Sequence, residues 1–220
     1  MLGNLHDVDY HLTLSGVIQF VQDTVSRYLT SLHLGSFDVA EDGLGWVIFD
    51  YDIALDRELP YWPNDVSIDL WVSEWSAVRT YFDFRLFCDG REFAKGSTCW
   101  TLIDAKERRA FLHGEEYING RIEVVPELVF EKHRKVRIPA YSEPCGSHVH
   151  ACCSTDVDFN SHISNRAYLC AALSCESVDF LAHIHHNHSR SHIFTRLICE
   201  MSSTAAAIRV PMTRPRTSIY

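Results

Sequence analysis

The feature that most limits the fold is one long helical pattern followed by four segments typical of strands. Apolar residues recur at helical spacing over residues 17–32, after a candidate N-cap at Ser15 and before Gly35. β-branched and aromatic side chains then dominate four segments, residues 45–55, 66–75, 78–87 and 93–104. This order predicts an α+β domain in which an antiparallel sheet curls around a helix.

A short sequence signal occurs twice, each time just before a helical pattern. The chain reads DVDYHLT near its start and DVDFNSH from Asp156 onward. His11 and Thr13 of the first copy stand where Asn160 and His162 stand in the second. A repeated signal before each of two helices indicates that one supersecondary unit is duplicated.

Glycine and proline punctuate the stretch between the two copies, which predicts a linker there. The predicted organisation is an N-terminal domain over residues 1–125, a linker over 126–147 and a C-terminal domain over 148–220. The second helix is expected to begin near residues 163–165, and its apolar face continues to about Leu181.

The second copy carries side chains that could take part in catalysis. In an extended segment, Asp158, Asn160 and His162 lie on one side, because side chains there alternate every second residue. A helix N-terminus follows, and its unpaired N–H groups favour developing negative charge. A carboxylate, an amide and an imidazole at such a place suit acyl transfer. The alternative is that they only cap the helix and form turns.

The stretch DVDFNSHISNRAYL resembles the signature of plant and bacterial acyl-ACP thioesterases, D-[LIV]-D-x-N-x-H-V-N-N-x-x-Y. The chain keeps both aspartates, the amide, the histidine, Asn165 and Tyr168, but has Ser164 where that family usually has Asn. The likeness in order and spacing extends over residues 12–35, 45–60, 68–75 and 93–109, and so covers most of the chain up to about residue 200.

This resemblance implies two tandem hotdog domains and hydrolysis of fatty acyl-ACP thioesters without a cofactor. It assigns catalysis to Asp158, Asn160 and His162 of the second copy, and it leaves the first copy to help form the acyl pocket. A catalytic glutamate of that family corresponds to Glu200. Met201 follows where the plant enzymes have a cysteine, and a thioether forms no thiolate, so a papain-like mechanism fits poorly.

The resemblance weakens after Glu200, where MSSTAAAIRVPMTRPRTSIY shows little strand pattern. The second hotdog sheet is therefore expected to be incomplete, with a truncated or altered C-terminus. Two alternatives follow from the same family: a non-catalytic acyl-binding remnant, and a thioesterase that prefers acyl-CoA.

Charge limits the partners. A net charge of −9 argues against general nucleic-acid binding. An acidic acyl carrier protein would need a local basic patch, and the densest candidate comprises Lys132, Arg134, Lys135 and Arg137. On composition alone this cluster could equally be a solvated linker surface. A homodimer is a further expectation compatible with the family.

Other features point to a cytoplasmic protein. The start of the chain lacks the basic and apolar regions of a secretory signal, and no apolar run approaches the length that spans a bilayer. The eight cysteines form no C-x-x-C pair and are predicted to be reduced. The histidine-rich tract at 183–192 lacks a neighbouring carboxylate or cysteine ligand set, so we expect an exposed loop and no metal.

Overall fold

A computed structural model describes residues 10–56, 59–61, 63–112, 114–118, 120–133, 147–158, 163–173, 191–195 and 207–211. The chain forms two compact units. The first comprises Met1–Lys135 with Asn187–Arg196, and the second comprises Val136–His186 with Leu197–Tyr220. Nowhere in the described ranges is there a helix long and apolar enough to cross a membrane.

The first helix, α1, spans Leu14–Ser31. Thr13, and not the predicted Ser15, is its N-cap: the backbone of Thr13 is extended and its hydroxyl accepts from the amide of Gly16 at 3.0 Å. Thr13 caps the helix because it stands immediately before the first helical turn, where its side-chain oxygen reaches the free N–H groups. The side chains of Val17, Val21 and Val25 on one face of α1 are fully buried.

A short helix, α2 (Ser36–Glu41), leads into an antiparallel sheet. Its strands are β1 (Leu44–Leu55), β2 (Val66–Trp75), β3 (Thr80–Cys88), β4 (Arg91–Asp104) and the short β5 (Arg109–Ala110). The four long strands agree with the sequence prediction to within three residues at each end. A sixth strand, β7 (Ser191–Thr195), pairs with β1, so the order is β2-β3-β4-β1-β7, with β5 beside β4. A short helix, α3 (Gly114–Ile118), follows β5.

One face of this sheet packs on α1. Phe82 of β3 is fully buried, and its ring meets Tyr28 of α1 edge-on at 6.3 Å and Trp100 of β4 at 5.9 Å. Gly96 of β4 allows the close fit, because a Cβ there would lie 2.6 Å from the ring of Phe84 and 2.5 Å from a backbone oxygen of β1. The sheet therefore wraps the helix through aromatic side chains, as the sequence predicted.

The second unit contains β6 (Ser147–Ala151), the helix α4 (Asn165–Leu173) and β8 (Ala207–Pro211). β6 and β8 are antiparallel partners, and α4 lies against β8. The predicted domain bounds stay a prediction. Separately, β7 pairs with β1 of the first unit, because strand pairing links segments regardless of their distance in sequence.

Candidate active site

Asp156, the first aspartate of the second copy, holds a tight turn together. It ends a 3₁₀ turn, Ser154–Asp156, that follows β6. Its Oδ2 accepts from the amide of Cys153 at 2.9 Å and lies 3.1 Å from Nε2 of His150. The hydrogen bond from the Cys153 amide, and after it the one from His150, hold the pKa of Asp156 below its ordinary value. This aspartate therefore fixes the backbone just before the D-x-N-x-H alternation that begins at Asp158.

The lowered pKa of Asp156 predicts an acid-sensitive turn. The unfolded chain binds this proton more readily, so the stabilisation is present above the ordinary pKa of about 3.8 and is lost as pH falls through the lower folded pKa. Asp156→Asn should lose that stabilisation at neutral pH and show a weaker decline in acid. Urea unfolding of both proteins from pH 7 to pH 3 measures it.

Glu107→Gln is the matched control, because it also removes one carboxylate charge, from an exposed position in another turn. Its unfolding curve should keep the pH dependence of the wild type. An Asp156→Asn protein whose acid decline equals that of the wild type would contradict the assigned role of this carboxylate.

The second copy leads directly into α4. Val157 and Ile163 form an antiparallel bridge, and the amide of Ser164 donates to the carbonyl of Asp156 at 2.7 Å. Ser164 then caps the helix, since its hydroxyl accepts from the amide of Ala167 at 3.2 Å. Serine thus supplies the cap at the position where the family usually has asparagine, and the predicted start of the second helix agrees with the observed one.

Asp158 stands next to this bridge and is half-buried. In sequence it follows Val157, the residue that pairs with Ile163 shortly before α4 begins, and the N-terminal N–H groups of that helix favour negative charge. Asn160, His162 and Glu200 lie outside the described residues. Their predicted grouping with Asp158 stays a prediction.

The first copy uses the equivalent positions for packing and capping. Thr13 caps α1, and His11 forms an isolated bridge with Tyr61, whose ring lies 6.4 Å from the imidazole. Each copy is thus followed by a helix with a hydroxyl at its N-terminus, that of Thr13 in α1 and that of Ser164 in α4. Only the second adds the carboxylate, amide and imidazole alternation.

Outside the motif, the structure bears on two further predictions. Lys132 of the predicted docking cluster is exposed, whereas Arg134, Lys135 and Arg137 lie outside the described residues. Among the side chains that are described, no three histidine, cysteine, aspartate or glutamate residues are placed to hold a metal ion. Most of the histidine-rich tract at 183–192 falls outside that part of the chain.

Comparison with known families decides the relationship. Residues 4–120 match the model of the acyl-ACP thioesterase N-terminal domain. The chain belongs to the acyl-ACP thioesterase family. The family resemblance noted in the second copy is thereby confirmed by a match to the N-terminal half of the chain. No curated protein sequence matches the chain.

Solved thioesterase structures share the fold. An acyl-ACP thioesterase from Bacteroides thetaiotaomicron is 20% identical, with a TM-score of 0.67 over 81% of this chain and 72% of that one. The 12:0-ACP thioesterase from Umbellularia californica is 16% identical, with a TM-score of 0.63 over 79% of this chain and 71% of that one. The α+β class and the double hotdog fold predicted from the sequence are confirmed.

Sequence reasoning missed one residue of the acyl-ACP thioesterase chain that the structure makes prominent. His133 lies inside the basic run KHRKVR, which was interpreted as a solvated or docking surface. Its side chain is only 10% exposed and contacts three strands of the first sheet. A histidine between cations carries no sequence signal for burial, so only the fold could reveal it.

Proposed function

We propose that this protein hydrolyses fatty acyl-ACP thioesters and so releases free fatty acid and acyl carrier protein. The observation that carries the proposal is the second copy, in which D-x-N-x-H stands directly before the capped N-terminus of α4 in a chain of the acyl-ACP thioesterase family. Family membership supports thioester hydrolysis, and the carrier-bound substrate is the finer part of the proposal.

The proposed mechanism adds water across the thioester. Asp158 either accepts a proton from the attacking water, or attacks the carbonyl carbon itself and forms a mixed anhydride that water then hydrolyses to the free acid. In both cases the C–S bond breaks when the tetrahedral intermediate collapses. His162 transfers the proton to the leaving thiolate, and the amide of Asn160 orients the carbonyl oxygen. Glu200 positions the water. The N–H groups at the start of α4 favour the negative charge that develops.

A direct assay tests the function. Purified protein is incubated separately with acyl-ACP and with acyl-CoA, and free thiol is measured over time. Faster release from acyl-ACP supports the proposal. Preference for acyl-CoA would make it an acyl-CoA thioesterase, and acyl binding without release from either substrate would indicate a non-catalytic acyl-binding protein.

Reversing the charges of the basic cluster should weaken use of the carrier-bound substrate. Glutamate in place of Lys132, Arg134, Lys135 and Arg137 repels an acidic carrier and lowers its association rate. The KM for acyl-ACP should rise by about tenfold and the effect should shrink in high salt, because screening weakens exposed charges. Hydrolysis of small thioesters is the internal control. Equal loss for both substrates would contradict docking through this cluster.

A further inference from the structure

The side chain of His133 is held by three strands of the first sheet. Its ring stacks on Tyr81 of β3, with centroids 3.9 Å apart and planes 11° apart. Nε2 lies 3.3 Å from the hydroxyl of Ser73 in β2, and Nδ1 lies 3.2 Å from the hydroxyl of Ser97 in β4. Nε2 also lies 3.7 Å from the half-exposed carboxylate of Glu74. Both ring nitrogens therefore have partners on the sheet face opposite α1.

A buried carboxylate beside the ring also depends on the segment that carries His133. Asp83 of β3 is fully buried, and such a group is costly unless it is hydrogen-bonded and paired. Its Oδ2 accepts from the amide of Val129 at 2.7 Å, whereas its Oδ1 makes no hydrogen bond among the described residues and lies 3.9 Å from Nδ1 of His133. The hydrogen bond and the neighbouring imidazole both come from residues that follow α3.

Residues 124–133, here called the strap, pair with the edge strand β2 at their start and contact this sheet face at Val129 and His133. Val124 bridges Val72 of β2, and the carbonyl of Val72 accepts from the next amide, that of Val125, at 2.9 Å. The indole of Trp71 donates to the carbonyl of Glu127 at 2.7 Å. Hydrogen bonds thus begin at one end of the strap and His133 closes the other end.

A serine, a histidine and an aspartate in contact could also be a nucleophile, a base and an orienting group. Burial argues against that interpretation. Ser73 and Ser97 are 4% and 5% exposed, and the hydroxyl of Ser73 donates to the backbone carbonyl of Tyr81 at 3.4 Å. A nucleophile must reach water and substrate, whereas these hydroxyls are covered by the ring of His133. The cluster is therefore an anchor.

The anchored side chain of His133 adjoins Lys132, the first cation of the basic cluster. Lys132, its neighbour, is exposed, so the charge is presented to solvent at the edge of a fixed segment. We propose that His133 is a positioning residue for carrier docking: it fastens the strap to the first sheet and presents Lys132 to an acidic carrier protein. This inference rests on the proposed function. A preorganised charge binds better than a mobile one, because less conformational entropy is lost on binding.

His133→Asn removes the ring and its reach to both serines, and His33→Asn is the matched control at an exposed position with a positive φ that asparagine tolerates. Two quantities are measured on the whole chain: amide hydrogen exchange at Val129, and the Kd for holo-acyl carrier protein by titration. We expect His133→Asn to raise the exchange rate and the Kd by about tenfold each, the size of one or two lost hydrogen bonds. His33→Asn should change neither.

The outcomes separate the anchor from the function. Unchanged exchange or unchanged carrier affinity in a folded His133→Asn protein overturns the proposal, as does a wild type that binds no carrier. If the wild type binds carrier but hydrolyses no thioester, the proposed function fails and the affinity difference still supports the anchor. A folded Ser97→Ala protein with a lower kcat on small thioesters would overturn the anchor proposal, because it would indicate that Ser97 is a nucleophile. If His133→Asn does not fold, Lys132→Glu is tested in its place. An unchanged Kd for the carrier protein would then contradict the proposed role of Lys132 in docking.

Discussion

Asp158→Asn should lower kcat for thioester hydrolysis by roughly 10²–10⁴-fold, the range typical of losing a positioned acid–base group. The substitution removes the negative charge at nearly constant shape, so the folded chain should keep its helix and strand content. Asp158 is half-buried beside the bridge that precedes α4, where a neutral amide can neither activate water nor attack a carbonyl. Steady-state hydrolysis of acyl-ACP measures the effect, and circular dichroism checks the fold.

Companion variants identify the working groups. His162→Ala should be about as severe as Asp158→Asn, because groups that act as a unit give non-additive losses. Glu200→Gln should also lose most activity. Cys199→Ser is the control: it exchanges a strong nucleophile for a weak one at nearly the same size, and it should keep substantial turnover. A folded Cys199→Ser protein as inactive as Asp158→Asn would refute the carboxylate mechanism.

Phe82→Ala should lower the free energy of unfolding by about 3–5 kcal/mol, as expected when a large core aromatic is truncated. The ring of Phe82 is fully buried between Tyr28 of α1 and Trp100 of β4, so its removal leaves a cavity where the helix meets the sheet. Urea unfolding of the wild type and the variant, followed by tryptophan fluorescence, measures the loss.

Phe37→Ala is the matched control for this core truncation, because the side chain of Phe37 on α2 is 78% exposed. The same chemical change at the surface should alter the free energy of unfolding by less than about 1 kcal/mol. Equal effects at the two positions would contradict the description of Phe82 as the contact between helix and sheet.

Local sequence patterns predicted the elements of the first unit well. The bounds of the four long strands and the apolar face of α1 agree with the periodicities, because each pattern depends on neighbours two to four residues away. The helix cap shows where such reasoning loses precision. Ser15 and Thr13 both carry suitable hydroxyls, and the choice depended on which backbone was extended.

In the candidate site, too, some features followed from local sequence and others depended on the structure. The D-x-N-x-H alternation and the helix start at Asn165 were readable from residue types and spacing. The role of Asp156 was not, because its partners depend on a 3₁₀ turn and on the orientation of His150. Asn160, His162 and Glu200 stay predictions of the resemblance.

The sequence by itself determined the α+β class, the duplicated unit and the family, because periodicity and a dense motif are properties of short stretches of chain. Only the tertiary structure decided that β7 joins the first sheet and that the side chain of His133 is just 10% exposed. The strands that contact His133 are far from it in sequence, and burial of a polar side chain depends on partners that distant segments bring together. A local sequence pattern therefore could not predict the contact between His133 and these strands.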